Sequence, residues 1–212
     1  MLMTVVCISF LLAIVGSYLL GNLNGAVIAS RLHHDDVRSH GSGNAGLTNF
    51  IRNYGVKSAF LVILVDAGKA VLACLISGWL FYPMGRQLEG MALGGFFVML
   101  GHCFPALLGF RGGKGILSGL FVALVIDWRI GVIILVVFLL GYLLSGYVSL
   151  GSVLASVTFG IGFVVFHSRE PFVMWFGIAM AALCVYMHRG NIRRLVKGQE
   201  PKTNLLKKGG RK

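Results

Sequence analysis

Seven apolar stretches divide the chain and constrain its fold more than any other feature. They cover about residues 3–29, 58–81, 90–110, 116–126, 130–147, 149–166 and 171–187. A helix needs about 20 residues to cross a membrane, so most of these stretches qualify and 116–126 does not. Hydrophobic residues make up 57% of the 212 residues and charged residues 12%, against about 25% charged in soluble domains. The sequence predicts an all-α, polytopic membrane bundle of about seven transmembrane helices, with one short or re-entrant segment, in a single domain over 1–212.

The Lys and Arg residues are divided unequally between the two sides of such a bundle. With seven crossings, fifteen of the 19 basic residues lie on one side, nine of them in the tail after His188, and three lie on the other. The positive-inside rule therefore places the N-terminus outside and the C-terminus inside. Residues 189–212 form a basic cytoplasmic tail in this topology, and we expect most of its charges to rest on anionic lipid headgroups.

The composition also narrows the possible partners. A formal net charge of +12 would suit nucleic acid, but the sequence contains no soluble domain to bind it, so anionic headgroups and anionic substrates are expected instead. The four cysteines lie singly in or beside apolar stretches, which indicates packed free thiols. His33, His34, Asp35, Asp36 and His40 are metal-ligating types, but an exposed run has no imposed geometry. Neither a metal nor a cofactor is predicted.

Residues 38–52, here termed the first motif, form a polar and glycine-rich stretch between two apolar runs. Gly41, Gly43 and Gly46 allow the backbone to bend so that successive N–H groups converge on an oxyanion. The groups that could complete such a site are Ser42, Asn44, Thr48, Arg38 and Arg52. A flexible linker would account for the glycines but not for this concentration of Asn, Ser, Thr and Arg. A phosphate is the expected ligand.

Residues 101–115, the second motif, combine a helix-breaking Pro105 with the run Gly112, Gly113, Lys114 and Gly115 before a new helix. An anion there would meet free N–H groups, the positive end of the helix and the Lys114 ammonium. The run is not a Walker A loop, because Gly115 replaces the required Ser or Thr. An interfacial turn with snorkelling basic side chains is the alternative. The presence of a second cationic glycine-rich loop on the same face favours a phosphate cradle.

The third motif, residues 188–200, begins where the last apolar stretch ends. His188 and Asn191 are three residues apart, so they lie on one face if the helix continues. Asp66 and Lys69 have the same spacing within an apolar stretch, which predicts an intramembrane ion pair of structural or catalytic role.

The three motifs, in this order, resemble those of the bacterial acyl-phosphate:glycerol-3-phosphate acyltransferases, a family of small integral membrane enzymes. The matching residues are Gly41–Asn44, Gly46, Thr48, Asn49 and Arg52; Gly101, His102, Phe104, Pro105 and Gly112–Gly115; and His188, Arg189, Asn191, Ile192, Arg194, Gly198 and Glu200. Val148–Ser152 fits a further segment. The departures are Leu47, the run Asn22–Asn24, and Gly146, where the family commonly has Arg.

The resemblance implies a seven-helix bundle in the bacterial inner membrane, with its active site at the cytoplasmic face. It implies transfer of an acyl group from acyl phosphate to glycerol 3-phosphate, which gives 1-acylglycerol-3-phosphate. By the same resemblance the catalytic residues are Ser42, Arg52, Lys114, His188 and Asn191, the last three holding the glycerol phosphate. The residues expected to bind phosphate are Gly41, Gly43, Asn44, Gly46, Thr48, Gly112, Gly113, Gly115, Ser149 and Ser152. Glu200 belongs to the third motif and is expected to have a structural role. The enzyme that makes acyl phosphate is a candidate partner.

Acyl transfer from a mixed anhydride requires positioning and charge stabilisation more than activation, because phosphate is a good leaving group. No H-x-x-x-x-D pattern is present, so the proton acceptor is either the leaving phosphate or His188. A transporter or channel for an organic phosphate is the alternative function, since it would use the same cationic loops. Polar residues concentrated on one face, and the lack of an internal repeat, favour the acyltransferase.

Overall fold

The computed structural model describes residues 2–203, which form helices and turns without a β-strand. The helices are α1 (Leu2–Asn22), α2 (Gly25–Arg31), α3 (Leu47–Tyr54), α4 (Ala59–Phe81), α5 (Gln87–Cys103), α6 (Ile116–Ile126), α7 (Trp128–Ser145), α8 (Val148–His167), α9 (Pro171–Met187) and α10 (Arg189–Val196). Short 3₁₀ turns cover Val37–Ser39, Tyr82–Met84 and Ala106–Leu108. The predicted all-α membrane bundle is confirmed.

Each of the seven apolar stretches is helical, but they differ in their capacity to cross a membrane. Five segments are long and apolar enough, namely Met3–Arg31, Ala59–Met84, Gln87–Leu108, Trp128–Ser145 and Val148–His167. A sixth crossing results if α9 and α10, which are bent by 55° at their junction, count as one span. The remaining stretch is α6, whose 11 residues match the predicted short segment. By length, residues 2–203 therefore supply five or six crossings, and the predicted seventh is the short helix α6.

Two predicted stretches are interrupted where the site forms. The stretch 90–110 is helical only to Cys103, because Pro105 cannot continue the helix. The stretch 3–29 breaks at Leu23 and Asn24, where the Asn24 side chain caps α2 by accepting from Val27 N at 3.0 Å. Both interruptions leave irregular backbone beside the three motifs.

Glycines allow the central helices to approach one another closely. A Cβ atom on Gly101 of α5 would lie 2.2 Å from the Tyr18 carbonyl of α1. A Cβ atom on Gly94 of α5 would lie 2.6 Å from the Ala73 carbonyl of α4. Small residues at these positions let α5 pack between α1 and α4, as is common in membrane bundles.

A buried polar trio of Asp66, Lys69 and His102 lies where α4 and α5 pass the α1–α2 break. Lys69 Nζ is 2.8 Å from Asp66 Oδ1 and donates to His102 Nδ1 at 2.8 Å. It also donates to the carbonyls of Gly21 and Leu23 at 3.2 and 2.5 Å. The predicted ion pair is present, and its ammonium hydrogen-bonds carbonyl groups at the break, where the regular helical hydrogen bonds end. These contacts favour the structural alternative.

The chain folds back after α10. Gly198 has a φ of +65° and turns residues 199–203 toward the α7–α8 junction. There Thr203 N donates to the Gly146 carbonyl at 3.0 Å, and the Tyr142 hydroxyl donates to the Thr203 carbonyl at 3.0 Å. The predicted basic tail is thus packed against the bundle as far as Thr203, and its remainder, 204–212, lies outside the described residues.

Candidate active site

The buried amide of Asn49 organises the first motif. Its Nδ2 donates to the carbonyls of Val37, His40 and Asn44 at 3.0, 3.0 and 3.1 Å, and its Oδ1 accepts from Ser42 N at 3.1 Å. One side chain therefore satisfies four backbone groups of the loop. The loop is built as an ordered structure, in contrast to a flexible linker.

Two of the three glycines of the first motif have a left-handed backbone, and the third, Gly46, is extended. Gly41 and Gly43 have φ values of +57° and +68°. A Cβ atom on Gly41 would lie 2.4 Å from Asn49 Oδ1. The loop leads into α3 at Gly46, and no side chain within residues 2–203 caps this helix, so N–H groups of its first turn are available to an anion.

The second motif is packed onto the end of α5. Gly113 N donates to the His102 carbonyl at 3.1 Å. A Cβ atom on Gly113 would lie 2.1 Å from His102 Nε2, and one on Gly112 would lie 2.0 Å from the His102 carbonyl oxygen. Gly115 has a φ of +83° and begins α6, which no side chain of the described residues caps. The motif therefore requires glycine at these positions and also ends at an uncapped helix.

The first two motifs contact each other directly. Arg38 Nη1 donates to the Leu108 carbonyl at 3.0 Å, and a Cβ atom on Gly113 would lie 2.9 Å from the Ala45 carbonyl oxygen. That Ala45 carbonyl accepts from Asn24 Nδ2 at 3.0 Å, which ties the loop to the α1–α2 break. The two glycine-rich loops form one surface.

The third motif joins this surface through a chain of side-chain hydrogen bonds. Lys114 Nζ donates to Asn191 Oδ1 at 2.5 Å, and Asn191 Nδ2 donates to Glu200 Oε1 at 2.7 Å. Arg194 Nε donates to Glu200 Oε2 at 2.7 Å. Burial would raise the pKa of Glu200, but the hydrogen bonds from Asn191 and Arg194 hold the pKa below its ordinary value. Glu200 is thus a buried carboxylate that orients the third motif.

His188 lies at the bend between α9 and α10 with its ring in a defined orientation. Its Nδ1 is 2.8 Å from the Cys184 carbonyl oxygen. A carbonyl oxygen can only accept a hydrogen bond, so its partner nitrogen has to carry a proton. The Nδ1 atom therefore carries the proton in the neutral ring, and Nε2 keeps a lone pair. Such a nitrogen can accept a proton or a hydrogen bond from a hydroxyl group.

Three cations of separate elements converge on this surface. Burial, followed by the charges of Arg194 and Arg52, lowers the pKa of Lys114 to about 8, although the nearby Glu200 carboxylate opposes the shift. Arg52 belongs to α3, Lys114 precedes α6 and Arg194 belongs to α10. The Glu200 carboxylate lies near Lys114 and Arg194, and Arg52 adds a third cation near Lys114, so positive charge is in excess, which is the electrostatic environment of an anion site.

The structure thus brings most of the predicted site residues together. Lys114, Asn191 and Glu200 are linked by the hydrogen bonds above, Arg52 and His188 lie within electrostatic reach of Lys114, and Ser149 is buried near Glu200. Ser42 and Thr48 lie in the first motif, at the solvent-accessible side of the loop. Ser152 is buried and donates to the Val148 carbonyl at 2.9 Å, so its proton is used within α8.

Sequence reasoning assigned no role to several residues that shape the site, although Asn49 and Arg194 were among the matching motif residues. Asn49 and Asn24 support the first motif, Arg194 supplies a third cation, and Thr203 hydrogen-bonds Arg52. Two polar residues close together at the end of an apolar run, Asn22 and Asn24, were the signal of a helix break. No local pattern indicated Thr203, because its partners lie far away in sequence.

The histidine-rich stretch before the first motif has a structural arrangement. Hydrogen bonds from His40 and Tyr54 lower the pKa of Asp35 to about 2. His40 Nε2 lies 2.9 Å from Asp35 Oδ1. Across residues 2–203, no group of three or more His, Cys, Asp or Glu side chains is arranged to hold a metal ion.

Comparison with known proteins agrees with this geometry over nearly the whole chain. Residues 11–198 match the model of the glycerol-3-phosphate acyltransferase family. A glycerol-3-phosphate acyltransferase of Thermoanaerobacter sp. (strain X514) is 39% identical over 188 residues, which cover 88% of this chain and 91% of the relative. One of Clostridioides difficile (strain 630) is 36% identical over 196 residues, 92% of this chain and 95% of the relative.

Two solved structures show the same fold. Both are of PlsY (YgiH), described as an integral membrane glycerol 3-phosphate acyltransferase. The glycerol 3-phosphate form superposes with a TM-score of 0.83 and 30% identity, over 93% of this chain and 97% of that one. The lysophosphatidic acid form gives a TM-score of 0.80 and 31% identity with the same coverage.

Proposed function

Because this chain belongs to the glycerol-3-phosphate acyltransferase family, we propose that it transfers a fatty acyl group from acyl phosphate to the 1-hydroxyl of glycerol 3-phosphate. The products are 1-acylglycerol-3-phosphate and inorganic phosphate. The chain is a multi-pass integral membrane protein. We place it in the bacterial inner membrane, with the N-terminus outside and with the C-terminus and the active site on the cytoplasmic side, where the basic residues are concentrated.

The hydrogen bonds that connect Lys114 and Arg194 to the Glu200 carboxylate, directly or through Asn191, with Arg52 bound to Thr203 three residues farther on, carry this proposal. The reaction brings together two phosphate groups, that of the acceptor and that of the leaving group, and their mutual repulsion has to be offset. Three cations and two uncapped helix N-termini supply that compensation. An acyl donor without a phosphate would need less positive charge.

The proposed roles follow the positions of the residues. Lys114, His188 and Asn191 hold the glycerol phosphate, because the Lys114–Asn191 pair presents a cation and an amide beside the His188 ring. Arg52, with the N–H groups and hydroxyls of the first motif and with Gly112 and Gly113, holds the leaving phosphate. The acyl chain remains among the apolar helices while its phosphate end faces the loops.

The chemical step is a nucleophilic substitution at the acyl carbon. The 1-hydroxyl oxygen of glycerol 3-phosphate forms a bond to the carbonyl carbon, and the bond from that carbon to the phosphate oxygen breaks. The hydroxyl proton passes either to the departing phosphate or to His188 Nε2, whose lone pair is available. A His188→Gln variant with near-normal turnover and a flat pH profile would assign the proton to the phosphate.

The test is acceptor-dependent release of inorganic phosphate by the purified protein supplied with acyl phosphate. We expect release to require glycerol 3-phosphate and to be lost in Ser42→Ala and Lys114→Ala. Arg169→Gln is the matched charge control, since Arg169 is exposed in the turn between α8 and α9 at the opposite end of the bundle. Acyl-CoA and acyl carrier protein, supplied in place of acyl phosphate, test the donor.

Two outcomes would contradict the proposal. Turnover with acyl-CoA and none with acyl phosphate would retain the acyltransferase and overturn the donor. Uptake of labelled glycerol 3-phosphate into vesicles, without any acyl transfer, would assign the cationic loops to a transporter.

A further inference from the structure

Arg52 is held in place by a contact from the far end of the chain. It projects from the last turn of α3, where its side chain is largely exposed. An exposed arginine samples many rotamers, and this freedom is lost when the side chain binds a ligand. Here Arg52 Nη2 donates to the hydroxyl of Thr203, which is 151 residues away in sequence.

Thr203 is itself fixed by its surroundings. It is 7% exposed, and its N–H and carbonyl groups are held at 3.0 Å by the Gly146 carbonyl and the Tyr142 hydroxyl, respectively. Three residues earlier, Glu200 is bound by Asn191 and Arg194. The strap, defined here as residues 199–203, is therefore attached at both of its ends, and the Thr203 hydroxyl has a defined position.

We propose that Thr203 is a positioning residue for Arg52, which it holds in the rotamer that receives a phosphate. The inference rests on the proposed function, because it needs Arg52 to bind one of the two phosphate groups. The contact uses the Nη2 end of a guanidinium that has five N–H donors, so the remaining donors stay available to the phosphate. Docking of the strap thereby completes the site with a residue beyond the third motif.

The experiment compares Thr203→Val, which removes the hydroxyl at nearly constant volume, with Thr203→Ser, which keeps it. Thr4→Val is the matched control, because Thr4 lies in the first turn of α1, 18 residues or about 27 Å of helix from the end that faces the site. Tyr142→Phe is a second test, since it removes the hydrogen bond to the Thr203 carbonyl and leaves the Thr203 hydroxyl in place. Acceptor-dependent phosphate release is measured while each substrate is varied in turn.

We expect Thr203→Val to raise the KM of the substrate that Arg52 binds by about three- to tenfold, the effect of immobilising one long side chain, with kcat changed less than twofold. Thr203→Ser restores the wild-type KM, and Tyr142→Phe produces a smaller rise. In an Arg52→Gln background, Thr203→Val adds less than a further twofold, because the two residues act as a unit.

An unchanged KM in Thr203→Val would overturn the inference. A lowered KM would also overturn it, because Thr203 would then compete with the phosphate for Arg52. Full additivity of Thr203→Val with Arg52→Gln would be the third contradicting result. Affinity for inorganic phosphate, measured by calorimetry without turnover, separates this inference from the proposed function. If no variant turns over but Thr203→Val weakens phosphate binding, the acyltransfer proposal fails and the positioning role stands. If wild type turns over and Thr203→Val changes neither the KM nor the affinity for phosphate, the acyltransfer proposal stands and the positioning role fails.

Discussion

The depressed pKa of Lys114 leads to a pH dependence that can be calculated. The Lys114 ammonium has a pKa of about 8 because it is buried and lies near Arg194 and Arg52. It is charged below this pH and neutral above it, so the attraction for a phosphate is fully present at pH 7 and is lost as the pH rises through 8. For a site that requires the charged form, the apparent KM rises by the factor 1 + 10^(pH − 8). That factor is about 1.1 at pH 7 and about 11 at pH 9, or tenfold per pH unit at higher pH.

The assay is the KM for glycerol 3-phosphate between pH 7 and pH 9.5, above the second phosphate ionisation of about 6. Lys114→Arg provides the decisive comparison, because the pKa of an arginine exceeds 12 and its charge does not change in this range. We expect log KM to rise with a slope near +1 above pH 8 in wild type and in Arg169→Gln, and to stay flat in Lys114→Arg. A flat wild-type profile, or an equal slope in Lys114→Arg, would refute the assignment of the titration to Lys114.

Three further predictions concern the support of the site. Asn49→Asp keeps the shape of the side chain but removes the donor to three carbonyls. Because each unsatisfied buried group costs about 1–3 kcal/mol, we expect more than a tenfold loss of activity. Activity and the melting temperature are measured on the same variant. Gly113→Ala should abolish phosphate release because its Cβ would meet His102, whereas Gly16→Ala, with no atom within 4 Å of the added Cβ, should be silent. Lys69→Met leaves the buried Asp66 carboxylate without its ammonium partner and should lower the free energy of unfolding by about 3–5 kcal/mol. The double variant Lys69→Met/Asp66→Asn should recover part of this loss, as measured by denaturation.

The helices could be predicted from the sequence because each depends on local composition. The stretch 171–187 coincides with α9, and 116–126 coincides with α6, including its shortness. The break between α1 and α2 was not predicted. Asn22 and Asn24 were a local signal of the break, but the Lys69 ammonium that hydrogen-bonds the Leu23 carbonyl comes from 46 residues farther along the chain and has no local signature.

The site shows the same division between local and distant causes. Glycines with positive φ at Gly41, Gly43 and Gly115 were predictable, because the loops were recognisably polar and glycine-rich. The hydrogen bond of Lys114 to Asn191 spans 77 residues. That pairing emerges only when α5, α6 and α9 pack together, so the sequence could name the members of the site but not their partners.

The shortness of α6 has a consequence for how a lipid substrate enters and leaves. Eleven residues extend about 16 Å, roughly half of a hydrocarbon core of about 30 Å. Just beyond its far end lies Trp128, an exposed aromatic residue of the kind that marks the membrane–water interface. With the interface at Trp128, its near end at Gly115 would lie well below the opposite headgroups, and under the proposed function the reacting carbonyl would meet the second motif inside the membrane. Each methylene that stays in lipid avoids about 0.8 kcal/mol of exposure to water, so the acylated product can diffuse away laterally without ever being extracted from the bilayer.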